Sequence, residues 1–356
     1  MGWYDLSRVD TVSIKRYFVN IALHCAMIAA VLTLMTAPLQ SQETGKQPTT
    51  AAPQSAVPVK KYSLRVDWKD GVVHTYSVTE KTKVKRVYRD NIEKNYERET
   101  TYFLSMSSTG TEKGMTTLRC VVDSLRYKFT EGNTVLYYDS YDEKQSNIKG
   151  EFPDLTGTFA CMSHQFEFKI APTGEVASVS GVGENGDIDW LKDYINDPES
   201  PMDTLQKILW LSCISDENLK MIADIPKGII AGKMQIKADS VWKRQVGMRL
   251  DGINFVDTLE TEVASFAKNN FVISSVSKAL QPKPMQAVRM FGIPGLADVL
   301  SGKGTGKVRL DMSSGGTVRK AEITYNADIE AKYKLEKFSE NIQTTVSCTL
   351  IGQYKW

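Results

Sequence analysis

Gly181-Val182-Gly183-Glu184-Asn185-Gly186 spells the glycine pattern of a dinucleotide-binding turn. That chemistry needs a strand, a turn and a helix whose first amides face a pyrophosphate. Here hairpin-like residues precede the glycines, and Glu184, Asp187 and Asp189 would repel phosphate. A loop needing positive φ explains the glycines. Gly302-Lys303-Gly304-Thr305-Gly306-Lys307 is basic and glycine-rich, but it lacks P-loop spacing and has Val308 where a Ser or Thr must hold magnesium. It reads as a flexible loop. Asp187 and Asp189 lack the further ordered oxygens that calcium requires and read as helix caps.

Histidine is scarce, with three in the chain. His24 sits in an apolar N-terminal stretch, His74 reads as a surface residue and His164 as a core histidine. Cys161 falls on the opposite strand face from His164, so the two cannot share a metal. No nucleophile elbow accompanies these histidines, so a Ser–His–Asp site has no basis. The sequence assigns no catalytic residue, no metal ligand and no cofactor.

The elements are far more legible. Residues 320–335 alternate without a break: Ala321, Ile323, Tyr325, Ala327, Ile329, Ala331, Tyr333 and Leu335 on one side, charged and polar residues on the other. A period of two predicts a strand with one buried face. At roughly 3.3 Å per residue it would reach about 50 Å, so it must bend within a large sheet. Ile342, Val346, Cys348, Leu350, Tyr354 and Trp356 repeat the pattern. Shorter alternating runs cover 62–180. Lys69-Asp70-Gly71 predicts a hairpin between 62–68 and 72–78, and Ala171-Pro172-Thr173-Gly174 predicts another. Helical spacing takes over at about 187–224, with Ser200 and Ser215 as candidate caps. Between 282 and 300, Pro284 and Pro294 could each open a short helix of a plug lying on the sheet. Its apolar members Met285, Met290, Phe291, Leu296 and Leu300 are candidate ligand-binding lid residues. The fold class is mainly β (α+β): a large curved antiparallel sheet or half-barrel of some fourteen strands with a small helical insertion.

Three regions follow: a targeting segment at 1–40, a Pro/Thr/Ala linker at 41–60, and one β-rich domain at 61–356. Lys15 and Arg16 precede the apolar run 17–39, as in a signal peptide. Left uncleaved, that run is long enough to anchor the chain in a membrane. Export would permit disulfides among Cys120, Cys161, Cys213 and Cys348, although Cys120 and Cys348 fall on buried parity and read as thiols packed as small hydrophobes. The 44 basic and 42 acidic residues leave a formal net charge of +2, too little to hold a nucleic-acid backbone.

Val121–Glu143 leads through Tyr138-Asp139-Ser140. Next come a hairpin with Pro172, Gly174, Glu175, Val176 and Gly181, then Asp239-Ser240 with Trp242, then a glycine turn entering the long strand. In this order the motifs resemble the bacterial exported family called domain of unknown function 6263, over most of residues 62–356. The resemblance implies a signal-bearing, β-rich envelope protein. It implies no activity, cofactor or site residue.

Two functions stand. One is a non-enzymatic, extracytoplasmic envelope protein holding an apolar small molecule or lipid on its curved sheet. The other is a structural or protein-interaction module of the cell surface with a filled core. An exported hydrolase is the third and weakest reading, for lack of a nucleophile–base pair.

Overall fold

The computed structural model describes residues 61–89, 91–142, 144–148, 155, 162, 165–173, 175–181, 188–225, 229–230, 233–237, 239–267 and 269–355. The targeting segment and linker (1–60), Cys161, His164, the 182–187 loop and Trp356 lie outside them. In chain order come β1 (Tyr62–Leu64), β2 (Val72–Tyr88), β3 (Glu93–Glu112), β4 (Met115–Glu131), β5 (Thr134–Asp139), β6 (Gln165–Ile170) and β7 (Val176–Gly181). Helices α1 (Ile188–Asn196), α2 (Thr204–Cys213) and α3 (Asp216–Ala223) follow. Then come β8 (Met234–Ile236), β9 (Val241–Leu250), β10 (Ile253–Ala267), β11 (Asn270–Ser277), β12 (Gln281–Pro282), β13 (Ala287–Arg289), β14 (Leu296–Ser313), β15 (Val318–Tyr333) and β16 (Glu336–Lys355).

Fourteen strands form one sheet, with the path β12-β10-β11-β14-β15-β16-β2-β3-β4-β6-β7 and with β9, β13 and β5 paired beside it. Its strand pairs are antiparallel, and sequential strands are mostly neighbours because short turns can join them. The long-range join is β16 on β2, which brings the two halves of the domain together. Alternation holds along β15: Ala321, Ile323, Tyr325, Ala327, Ile329 and Ala331 are buried, and their neighbours are exposed. The outer face is wet and charged. Lys81 contacts Glu97 at 2.7 Å, Lys85 contacts Glu93 at 2.7 Å, and Asn341 donates to Asp328 at 2.7 Å. An apolar band like that of a membrane barrel is not what these residues form. No helix among the described residues is long and apolar enough to cross a membrane.

The sheet curls. From β10 to β3 is six strand-to-strand steps, about 29 Å at ~4.8 Å each if the sheet were flat. Yet Tyr96 on β3 donates to Asp251, in the β9–β10 turn, at 2.8 Å. The curl brings a sheet margin over the middle of the same sheet. The result is an open trough; β9 and β7 do not pair among the described residues.

Several sequence expectations change. The first hairpin is not formed: β1 pairs with β8, and β2 lies between β16 and β3. Residues 65–69 are held elsewhere, with the Asp67 amide donating to the Gly316 carbonyl at 3.0 Å. The stretch 302–307 is strand interior, not a loop. Its glycines make room for inward neighbours; a Cβ on Gly304 would lie 2.6 Å from Leu280, and one on Gly306 would lie 2.0 Å from the Tyr325 ring. Residues 282–300 contain no helix. They run as β12, β13 and the start of β14, joined by turns. Met285 and Gly292 have positive φ, and Pro284 and Pro294 supply no amide for a helical ladder. His74 is 1% exposed, its ring edge-on to Trp68 at 5.3 Å, so it is a core residue and not a surface one. Leu335 sits in the β15–β16 turn beside Lys334 (φ 55) and is exposed. Tyr354 is also exposed, beyond a bulge at Leu350/Gly352 that shifts the register of β16.

The helical insertion is as the spacing predicts, with one change of cap. Asp203, not Ser200, caps α2 and forms a capping box with Gln206, the two bonds being 2.8 and 3.1 Å. Ser215 caps α3, with Asp216 and Glu217 in its first turn. The second hairpin also forms as expected, pairing β6 with β7. Cys120 and Cys348 are buried.

Candidate functional site

On most of the concave face, inward positions are apolar, as alternation demands. Exceptions are the inward Arg86–Glu340 pair, Asp257, Thr261 and Ser275, and two adjacent rungs at the middle of the sheet. Cross-strand register aligns Tyr325, Thr344, Thr82 and Arg98 on β15, β16, β2 and β3. The next rung aligns Ile323, Val346, Glu80 and Thr100 on the same four strands. The Thr82 and Thr344 hydroxyls are 3.1 Å apart and both residues are 1% exposed. The Thr82 hydroxyl also donates to Glu80 at 3.4 Å. Hydroxyls, a guanidinium and a carboxylate thus form a polar floor inside a sheet whose neighbouring rungs are apolar.

A cavity of about 510 Å³ stands on this floor. Its roof is assembled from remote pieces. Val246–Leu250 of β9 and the Asp251-Gly252 turn curl over it, Asn218, Met221 and Ile222 of α3 close one side, and Arg289–Gly292 cross another. The roof contributes Met221, Met248 and Met290, whose flexible thioethers adapt to irregular shapes. The cavity therefore has a polar floor and a roof that mixes apolar side chains with charged ones, Asp224, Arg249, Asp251 and Arg289.

The roof is fastened to the floor by buried charge. Arg98 and Tyr96 on β3 both donate to Asp251, at 2.5 and 2.8 Å. Gly252 (φ +82) passes so close to the strap formed by residues 283–292 that an added Cβ would lie 2.6 Å from the Arg289 carbonyl. Beneath the strap, Arg86 pairs with Glu340, their side chains 1% and 0% exposed. Arg86 also donates to the Phe291 carbonyl at 2.9 Å and to the Tyr88 hydroxyl at 3.4 Å. The Phe291 ring packs 4.5 Å from Phe129 and 5.0 Å from Tyr96, with the Arg98 guanidinium 5.8 Å away. At its other end the strap is tied to β10, where Gln286 and the Asn254 backbone exchange two hydrogen bonds of 2.8 and 2.9 Å.

Burial pushes the Glu340 carboxyl up to about 8; the Asp251 carboxylate adds to the rise and Arg86 opposes it. For Arg86, burial is the largest single influence and acts downward, but Glu340, Tyr96 and Tyr88 together outweigh it, so the net shift is upward. The two directions favour opposite charge states of one pair. A guanidinium stays protonated in either case, so Glu340 is the member that titrates. The Tyr96 hydroxyl is held well above its ordinary range, first by burial and then by Asp251.

Of the sequence-proposed lid residues, Met290 and Phe291 line the cavity. Met285 is 98% exposed, Leu300 is 49% exposed on β14, and Leu296 begins β14 opposite Arg289; none of these three lines the cavity. Sequence reasoning missed Glu80, Thr82, Arg98, Thr100, Asp251, Thr344, and the Arg86–Glu340 pair. The available signal was polar residues on the inward parity: along β2, Tyr76, Val78, Glu80, Thr82, Val84 and Arg86 share one face. The described residues hold no group of three or more His, Cys, Asp or Glu able to hold a metal ion. His74 does not line the cavity.

No family model matches the chain, and no curated protein matches it. Among solved structures, one on lipid–protein interactions in lipovitellin shares 9% identity, covers 81% of this chain and 26% of that one, and has a TM-score of 0.43. This chain thus spans about a quarter of the lipovitellin chain (26%). OpdQ of Pseudomonas aeruginosa shares 7% identity, covers 79% of this chain and 99% of that one, and has a TM-score of 0.21. The translocator domain of autotransporter NalP from Neisseria meningitidis shares 9% identity, covers 77% of this chain and 88% of that one, and has a TM-score of 0.16. These scores are too low for any of the three to bear on ligand or partner. The mainly β architecture, an open antiparallel sheet of fourteen strands with few short helices, stands on the strand pairing itself.

Proposed function

We propose that this chain is a non-enzymatic, exported envelope protein that holds an amphiphilic small molecule or lipid in the trough of its curled sheet. The cavity of about 510 Å³ carries the reading, because it falls within the roughly 300–1,000 Å³ of small-molecule sites and combines apolar side chains with a few convergent polar groups. Export is supported by the charged-then-apolar segment 1–39 and by the resemblance to the exported family. Uncleaved, residues 17–39 would also tether the chain to a membrane. Native mass spectrometry of the gently purified protein, before and after exposure to a bacterial lipid extract, tests the binding. A bound species of lipid mass is expected in the wild type and is lost in Met248→Trp, which fills the roof while leaving the circular dichroism unchanged. A bare mass under every condition would replace this reading with that of a structural module.

A further inference from the structure

Cavity charge narrows the ligand further, given the binding just proposed. The described lining residues include Arg98, Arg249 and Arg289 against Glu80, Asp224 and Asp251, three cations and three anions, with no lysine or histidine. Several of these are bonded within the wall: Arg98 donates to Asp251 at 2.5 Å, Arg249 donates to the Asn218 side chain at 3.3 Å, and Glu80 accepts from the Thr82 hydroxyl at 3.4 Å. The wall is neutral as a whole. A head group with net charge would bring an uncompensated charge into a semi-enclosed space, and such charges are costly to bury. A neutral head adds none. It also meets polar groups that carry no net charge between them: the Thr82 and Thr344 hydroxyls, the Glu80 carboxylate and the Arg98 guanidinium lie on adjacent rungs of the floor, bonded to one another or to Asp251.

We propose that the cavity selects amphiphiles whose head group carries no net charge, either zwitterionic or hydroxyl-bearing, and rejects anionic and cationic heads on the same chain. The test is displacement of the uncharged reporter N-phenyl-1-naphthylamine from the full chain by four ligands sharing one myristoyl-length chain. They are a lysophosphatidylcholine, a monoacylglycerol, a lysophosphatidic acid and an alkyltrimethylammonium. The buffer is held at about pH 9.5, well above the Glu340 value of about 8, so that Glu340 is ionised and offsets Arg86 behind the floor. The two net-neutral ligands are expected to bind at least about tenfold more tightly than either charged one. Glu80→Gln makes the wall net positive and should move preference toward the lysophosphatidic acid by about tenfold. Arg249→Gln makes it net negative and should move preference toward the alkylammonium. Equal affinities for all four heads, a charged head preferred by the wild type, or variants that keep the wild-type order would overturn the selectivity and leave the binding site standing. If neither the reporter nor any amphiphile binds, the binding site falls as well.

Discussion

Gly306→Ala should destabilise this protein, although Ala ordinarily improves on Gly in a strand by about 0.5–1 kcal/mol. The reason is the cross-strand pair Gly306–Tyr325, in which the tyrosine ring lies over the position that a side chain would fill. Aromatic cover of a strand glycine is a known way of completing a sheet face. A Cβ on Gly306 would sit 2.0 Å from Tyr325 Cε1 and 2.2 Å from Cδ1, whereas non-bonded carbons rest about 3.5–4.0 Å apart. The ring must then move by about 1.5–2 Å, and its surroundings are sheet on one side and the cavity on the other. Overpacking of this kind costs about 1–3 kcal/mol. Set against the propensity gain, a net loss of about 1–2 kcal/mol is expected, and the displaced ring should also reduce ligand uptake.

A double-mutant cycle isolates the cause. Tyr325→Ala empties a site whose ring is 6% exposed and should cost about 3–5 kcal/mol. In that background Gly306→Ala meets no ring, so it should be neutral or stabilising by up to about 1 kcal/mol. The coupling, read from urea unfolding of the four proteins, is then about 1–3 kcal/mol, within the range for residues in contact. If Gly306→Ala costs the same in both backgrounds, or stabilises the wild type, the ring does not cover the glycine and the floor geometry is wrong.

Two further outcomes bear on the buried charges. Arg86→Met leaves Glu340 buried without its partner and should cost about 3–5 kcal/mol, while Arg86→Met with Glu340→Leu should recover most of that loss; equal losses in urea unfolding would show that the pair acts independently. Glu340 has a folded value of about 8 against an ordinary 4.5, so the stability it contributes is present below about pH 4.5 and is lost as pH rises towards about 8. The unfolding free energy of wild type should therefore fall across that window relative to Glu340→Gln, and parallel pH profiles for the two would contradict the assignment.

The architecture was legible because the sheet has one wet face. Alternation in 320–333 survives as alternating burial on β15, and the helical period at 187–224 survives as three capped helices. Where the fold was misread, the local signal was ambiguous or was overruled at a distance. Asp70-Gly71 does turn the chain, with Gly71 at φ 71, but turn chemistry does not say which strand lies alongside. β1 found β8 because the Gly316 turn holds residues 65–67 away from β2; a Cβ on Gly316 would come within 2.7 Å of the Asp67 amide. The glycines at 302, 304 and 306 erased their own period, since a residue with no side chain cannot show which face it occupies. Ile329, Leu280 and Tyr325 fill the missing volume from other strands and complete the face.

The site was illegible for a related reason. Residues 79–83 of β2, Thr-Glu-Lys-Thr-Lys, are polar on both parities, so no apolar stripe marks which side is inward. Only pairing resolves it: Thr82 faces Thr344 and Arg98 because β16 and β2 meet across 262 residues of sequence. Asp251 becomes a strut only because the sheet curls enough to bring a hairpin tip to β3. A stretch of strand that is polar on both faces is unfavourable in a filled core, where unpaired hydroxyls and charges are costly. Inward polar pairs away from the cavity, Arg86 with Glu340 and Thr261 with Ser275, are bonded to each other inside packed surroundings. The Thr82 and Glu80 rungs differ in bordering empty volume, and that position separates a binding floor from a satisfied polar pair in the core.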